Sequence, residues 1–150
     1  MQNDNAISVL NNLIETCKDG ERGFKTAAEG LSNADIKSRF MQYSRERGQM
    51  SSELQAEVRR LGGDPEKSGS MAGALHRGWL DIKSVVTGKD DHAIVAEAER
   101  GEDVAKSTYE GAMKENLPAS AQTLVQQQAV KIRQVHDAVR NLRDRQTITK

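Results

Sequence analysis

Two charged residues fall inside the apolar stripes of this 150-residue chain, and they are its first candidates for chemistry. Leu10, Ile14, Cys17, Glu21, Phe24 and Ala28 recur at intervals of three and four. A second series runs Ile36, Phe40, Tyr43, Arg47, Met50, Leu54, Val58 and Leu61. This spacing marks the core-facing side of an amphipathic helix. A charge on that side needs an opposite charge, a metal or a ligand. The turn near residue 32 makes the two helices antiparallel, with Glu21 and Arg47 offset by about five residues, or roughly 7 to 8 Å at the helical rise. Helical side chains lean toward the N-terminus, so these two lean toward each other. The expectation is a Glu21–Arg47 ion pair, joined by the Tyr43 hydroxyl and by Gln128 from the last helix. One reading is a buried polar cluster that fixes helix register. The other is a remnant cavity in which Arg47 replaces a metal's positive charge. In either case Glu21→Ala strands a guanidinium, at a cost of several kcal/mol.

The remaining reactive side chains are scattered. Cys17 is the only cysteine, so no internal disulfide forms. On its stripe it reads as a small buried hydrophobe, and no assigned base activates it as a nucleophile. His76, in a connection, and His92, beside a helix start, read as solvated. His136, at the edge of the last stripe, reads as a hydrogen-bonded boundary histidine. No spacing supports a Ser–His–Asp or Cys–His arrangement, and Gly62-Gly63 is a helix stop rather than a phosphate loop. The basic stretch Arg140, Arg143, Arg145 is interleaved with Asp137 and Asp144 and reads as a solvated face.

Lysine plus arginine and aspartate plus glutamate number 22 each. The charges are interspersed, which argues against a nucleic-acid or membrane-surface partner. No apolar run approaches the roughly 20 residues that span a bilayer. The N-terminus lacks the basic and apolar regions of a signal peptide. With its one cysteine, the expectation is a cytoplasmic protein.

The elements that position these residues are all helical, in one domain over 1–150. Helices are expected at about 5–30, 34–61, 91–116 and 120–144, with a shorter one at 71–86. Asn3, Asp4 or Asn5 caps the first, Ser32 or Asn33 the second, and Asp90 or Asp91 the fourth. Leu61-Gly62-Gly63-Asp64-Pro65 is a strong stop, and 62–70 is a polar linker. The short helix carries Ala74, Leu75, Trp79, Ile82, Val85 and Val86, with Trp79 sealing an edge of the core. Helix 91–116 turns small residues inward: Ile94, Ala98, Gly101, Ala105, Thr108 and Ala112. Helix 120–144 turns Leu124, Gln128, Ile132, Val135, Val139 and Leu142 inward, and the final QTITK is expected to fray. The second and third long helices are joined by roughly 30 residues, against ordinary bundle loops of 2 to 8. A connection that long runs the length of a bundle and gives an up-down-down-up order.

With these elements in place the chain resembles the ferritin-like superfamily. More closely, it resembles an uncharacterised bacterial family of ferritin-like four-helix-bundle proteins, a domain of unknown function related to the YciF-like stress proteins. The resemblance rests on LNNLIETCKDGERGF, ELQAEVRRLGGDP, GSMAGALHRGW, AEAERGEDVAKSTYEGA and IRQVHDAVRNL. It implies the bundle and a stress-associated role, but no established activity. Superfamily members place Glu on the first and third helices and Glu-x-x-His on the second and fourth, holding two metal ions. Here Cys17, Arg47 and Met50, and Ile132 and Val135 fall at the matching positions, which does not make a carboxylate site. The expectation is therefore a non-catalytic bundle with no cofactor. The alternative is an iron- or manganese-binding protein with a site shifted by one residue, drawing on Glu46, Gln49, His136 and one of Glu97, Glu99 or Glu102. The small-residue helix or Trp79 is the expected homodimer surface.

Overall fold

The computed structural model describes residues 3–65, 76–79 and 81–148, with side chains of 76, 77 and 146–148 outside the description. Every regular element among them is helical. In chain order these are α1 (Asp4–Gly30), α2 (Ala34–Arg60), a 3-10 turn (His76–Trp79), α3 (Ile82–Thr87), α4 (Asp91–Met113) and α5 (Ala119–Ile148). The expected helix at 71–86 is thus shorter and broken. Ala74 and Leu75 lie outside the described residues, and α3 begins only at Ile82. Helix α4 stops at Met113 rather than near 116, and α5 runs on to Ile148, so most of the segment expected to fray is helical.

Local signals explain the boundaries. Asn33 caps α2 by accepting from the Ile36 amide at 3.0 Å, and Asp90 caps α4 by accepting from His92 at 3.0 Å. Gly62 takes the left-handed conformation that ends α2, at φ +88°. Asp91 does a different job. Its carboxylate accepts from the Ser32 and Asn33 amides at 2.9 Å each, tying the start of α4 to the α1–α2 turn. Those amides open a helix N-terminus, where a negative charge is favoured.

Helices α1 and α2 are antiparallel: Asn3 reaches the Leu61 carbonyl at one end, and Phe24 meets Phe40 near the other. Helices α4 and α5 are also antiparallel, with Gln122 near Met113 and Arg143 on Glu99. Helix α1 runs antiparallel to α4, since Asn5 meets Glu115 and Ser32 meets Asp91. The apolar interior forms two clusters. One gathers Leu10, Leu13, Ile14, Leu54, Val58 and Val125; the other gathers Phe24, Phe40, Trp79, Ile94, Val139 and Leu142.

Trp79 closes the second cluster where the connection crosses α1 and α4. Only 8 % of it is exposed, and its ring meets Phe24 edge-on at 5.1 Å. The indole lies in a slot made by two glycines. A Cβ on Gly23 of α1 or on Gly101 of α4 would stand 2.3 Å from it. The small inward residues of α4 therefore admit a tryptophan of the same chain, and Trp79 is unavailable as an exposed anchor for a second copy.

Gly23→Ala and Gly101→Ala will each lower unfolding free energy by about 1–3 kcal/mol through overpacking, despite alanine's better helix propensity. Gly111→Ala, with nothing within 4 Å of the new methyl, will raise it by up to about 1 kcal/mol. Chemical denaturation of the three variants measures the contrast.

Candidate functional site

Between the two apolar clusters lies a polar layer, and Arg47 is its centre. Helix α2 carries Arg47 on the same stripe as Phe40 and Met50, so the helix directs it inward; 1 % of it is exposed. Its partner is Glu102 of α4, which is fully buried. The guanidinium holds both carboxylate oxygens: Nη1 donates to Oε2 at 2.8 Å and Nη2 donates to Oε1. The Arg47 guanidinium carbon lies 5.4 Å from the centre of the Phe24 ring, giving a cation–π contact. Burial opposes the Arg47 charge, but the Glu102 charge and its hydrogen bonds outweigh it and hold the guanidinium above its ordinary pKa. Gly20 leaves the space: a Cβ there would lie 2.8 Å from Arg47 Nη1.

This corrects the expected Glu21–Arg47 pair. Glu21 is exposed, and its carboxylate lies over Gly48, where a Cβ would be 2.7 Å from Oε2. The α1 stripe passes through Gly20 instead, a phase shift of one residue. The Glu21 backbone carbonyl accepts from Ser44 Oγ of α2 at 2.8 Å. Tyr43 is half-buried and belongs to the aromatic group, 5.3 Å from Phe24 and 6.0 Å from Phe40. Gln128 is buried as expected, but it joins a different set of partners.

Those partners form a directed chain. Gln128 Nε2 donates to the Met50 carbonyl at 3.1 Å and to Glu53 Oε1 at 3.0 Å. Both can only accept, which orients the amide and leaves its Oε1 toward Tyr109. The phenol therefore donates to Gln128 Oε1, at 2.8 Å. Its oxygen is left to accept from the Cys17 thiol at 3.1 Å. Burial raises the Cys17 pKa from 9.0 to about 11. Burial, then the nearby thiol, pushes the Tyr109 hydroxyl well above its ordinary range. Cys17 is a hydrogen-bonding core residue, not a nucleophile.

Sequence spacing did not single out Tyr109, because the α4 stripe was read through Thr108. The available signal was the interval of four from Ala105 and of seven from Glu102.

The residues of the shifted metal site are not brought together. Glu46 is half-buried and accepts from Gln42 at 3.1 Å, while Gln49 is exposed. Glu97 accepts from Arg100 at 2.9 Å and from the Asp81 amide at 3.0 Å. Glu99 accepts from Arg143, and Glu102 is held by Arg47. His136 is buried as well as hydrogen-bonded, with Nε2 at 2.7 Å from Asp103 and Nδ1 at 3.1 Å from Asp137. The His136 hydrogen bond holds the Asp137 carboxyl below its usual range. Of the other histidines, His92 is half-buried and the side chain of His76 lies outside the described residues. Among the described residues, no group of three or more His, Cys, Asp or Glu is placed to hold a metal ion. No helix among them is long and apolar enough to cross a membrane.

Fold and interior together define an all-helical bundle whose buried cation and buried acid neutralise each other. The chain belongs to the family described as Domain of unknown function (DUF2383), whose model matches residues 5–115. That span includes Cys17, Arg47, Glu102 and Tyr109, while Gln128 and His136 lie beyond it. No curated protein matches the chain.

Glu102→Ala will destabilise the protein by about 3–5 kcal/mol by stranding the guanidinium, whereas Glu21→Ala will cost less than about 1 kcal/mol. The double variant Arg47→Met/Glu102→Leu will recover most of the loss; urea denaturation reads all three. A second outcome concerns pH. Cys17 keeps its proton to about pH 11 in the folded state, but to about 9 when unfolded. Its contribution is complete below pH 9 and is lost as pH rises toward 11. Cys17→Ala will therefore flatten the fall of stability with pH across that window.

Proposed function

We propose that this protein is a non-catalytic bundle of ferritin-like architecture in which an internal ion pair stands where metal-binding members of that superfamily hold two cations. The Arg47–Glu102 pair carries this reading. The superfamily arrangement is supported by the helix directions, since α1 is antiparallel to both α2 and α4, and α4 to α5. An up-down-down-up order requires these directions, with one long connection between the parallel pair α2 and α4.

The donors at this level do not fit a metal pair. The groups at the matching positions are a guanidinium and the aliphatic Ile132, which offer no lone pair, the Met50 thioether and a thiol with a pKa of about 11. Glu102 already has both oxygens on Arg47, and Glu53, the other carboxylate of the network, accepts from Gln128. A cation brought beside Glu102 would face the arginine's charge. The protein's role then lies in binding or assembly through its surface, and the resemblance to stress-associated bundles points to conditions of stress. A reducing cytoplasm suits the single buried thiol.

The test is metal loading of the purified protein. After incubation with ferrous iron or manganese and desalting, elemental analysis will find no bound metal above background. Neither metal will raise Tm, because an ion that binds only the folded state must stabilise it. Retention of one or two ions per chain, with a higher Tm, would overturn the reading and favour a rearranged carboxylate site.

A further inference from the structure

We infer that the outward face of α5 is a self-association surface, on which a second copy of this chain docks antiparallel about a two-fold axis through Val130. Among the described residues Val130 is the exposed large hydrophobic side chain, with 57 % of its surface in solvent. It sits opposite the inward line Val125, Gln128, Ile132 and Val135, so it makes no contribution to this chain's own core. A shallow groove of about 480 Å³ runs beside it, bordered by Met113 and Ala129.

The residues around Val130 are complementary to themselves. In an antiparallel contact about an axis at Val130, positions equally far before and after it face each other across the two copies. Four residues to either side stand Gln126 and Gln134, whose amides each offer a donor and an acceptor. Three to either side stand Gln127 and Arg133, an amide carbonyl meeting a guanidinium. Seven to either side stand Thr123 and Asp137, a hydroxyl donor meeting a carboxylate. Offsets of three, four and seven keep all of them on one helix face. No like charges meet. An isologous two-fold contact requires this kind of self-complementarity.

One helix pair buries less than the roughly 1,200 Å² of standard interfaces, so the association is weak and concentration-dependent. Sedimentation equilibrium from about 10 µM to 1 mM will show the mass rising from one chain toward two. Val130→Glu places like charges on the axis and will weaken association by roughly tenfold or more. Register is tested by two double variants at exposed positions, each checked for retained helicity. Gln126→Glu/Gln134→Lys sets opposite charges across the contact and will tighten it, while Gln126→Glu/Gln134→Glu sets like charges and will loosen it. Within one chain these two positions are two turns apart, so the introduced charges do not pair with each other there. A monomer at every concentration would overturn the proposal. So would a dimer indifferent to Val130→Glu, or one that responds alike to the two double variants.

Discussion

The bundle depends on a charge that cannot reach water. Arg47 is 1 % exposed and Glu102 is fully buried, so each has given up hydration that only the other restores. Exchange of such a pair for well-packed apolar groups is often neutral or stabilising, whereas removal of one member is costly. The pair therefore acts less as a source of stability than as a condition on how the helices meet. Only one relative position of α2 and α4 lets the guanidinium hold both carboxylate oxygens, and only a glycine at position 20 of α1 leaves room for it.

The second set of polar contacts extends this condition to every long helix. Cys17 of α1 bonds Tyr109 of α4, Tyr109 bonds Gln128 of α5, and Gln128 bonds the Met50 carbonyl of α2. With Arg47–Glu102 the four long helices are linked by buried polar contacts, several of them within the first apolar cluster. Apolar packing alone tolerates small slips, because many registers bury similar area. A donor that must meet one acceptor does not, since a buried unpaired group costs about 1–3 kcal/mol. Trp79 constrains the other dimension: its slot between Gly23 and Gly101 admits one spacing of α1 and α4.

The helices were legible in the sequence because each signal was local. The α2 stripe, the Gly62 stop and the Asn33 cap all depend on neighbours a few residues away. So was the burial of Arg47, whose stripe is unambiguous on both sides. Its partner was not. On α1 the series Cys17, Glu21, Phe24 and the series Cys17, Gly20, Phe24 fit a 3.6-residue period equally well. A charged residue drew the stripe to itself, away from the glycine that the interior needs. Glu102 required knowledge of the rotation of α4 about its own axis, which is set by packing against α1, α3, α5 and the 3-10 turn. The break before α3 was hidden because Val85 and Val86 continue a helical spacing that the crossing at Trp79 interrupts.

The same geometry bears on where function resides. A catalytic interior needs a polar group left open toward a cavity, with a path to it. At the middle of this bundle the carboxylate is held by a guanidinium, the phenol lies between a thiol and an amide, and the thiol is protonated and fully buried. Opening any of these to a substrate would first break a contact that sets helix register. Selection for a defined bundle and selection for an accessible interior therefore pull in opposite directions here. Under the proposed function, binding falls to the outer faces, where side chains can change partners without moving a helix.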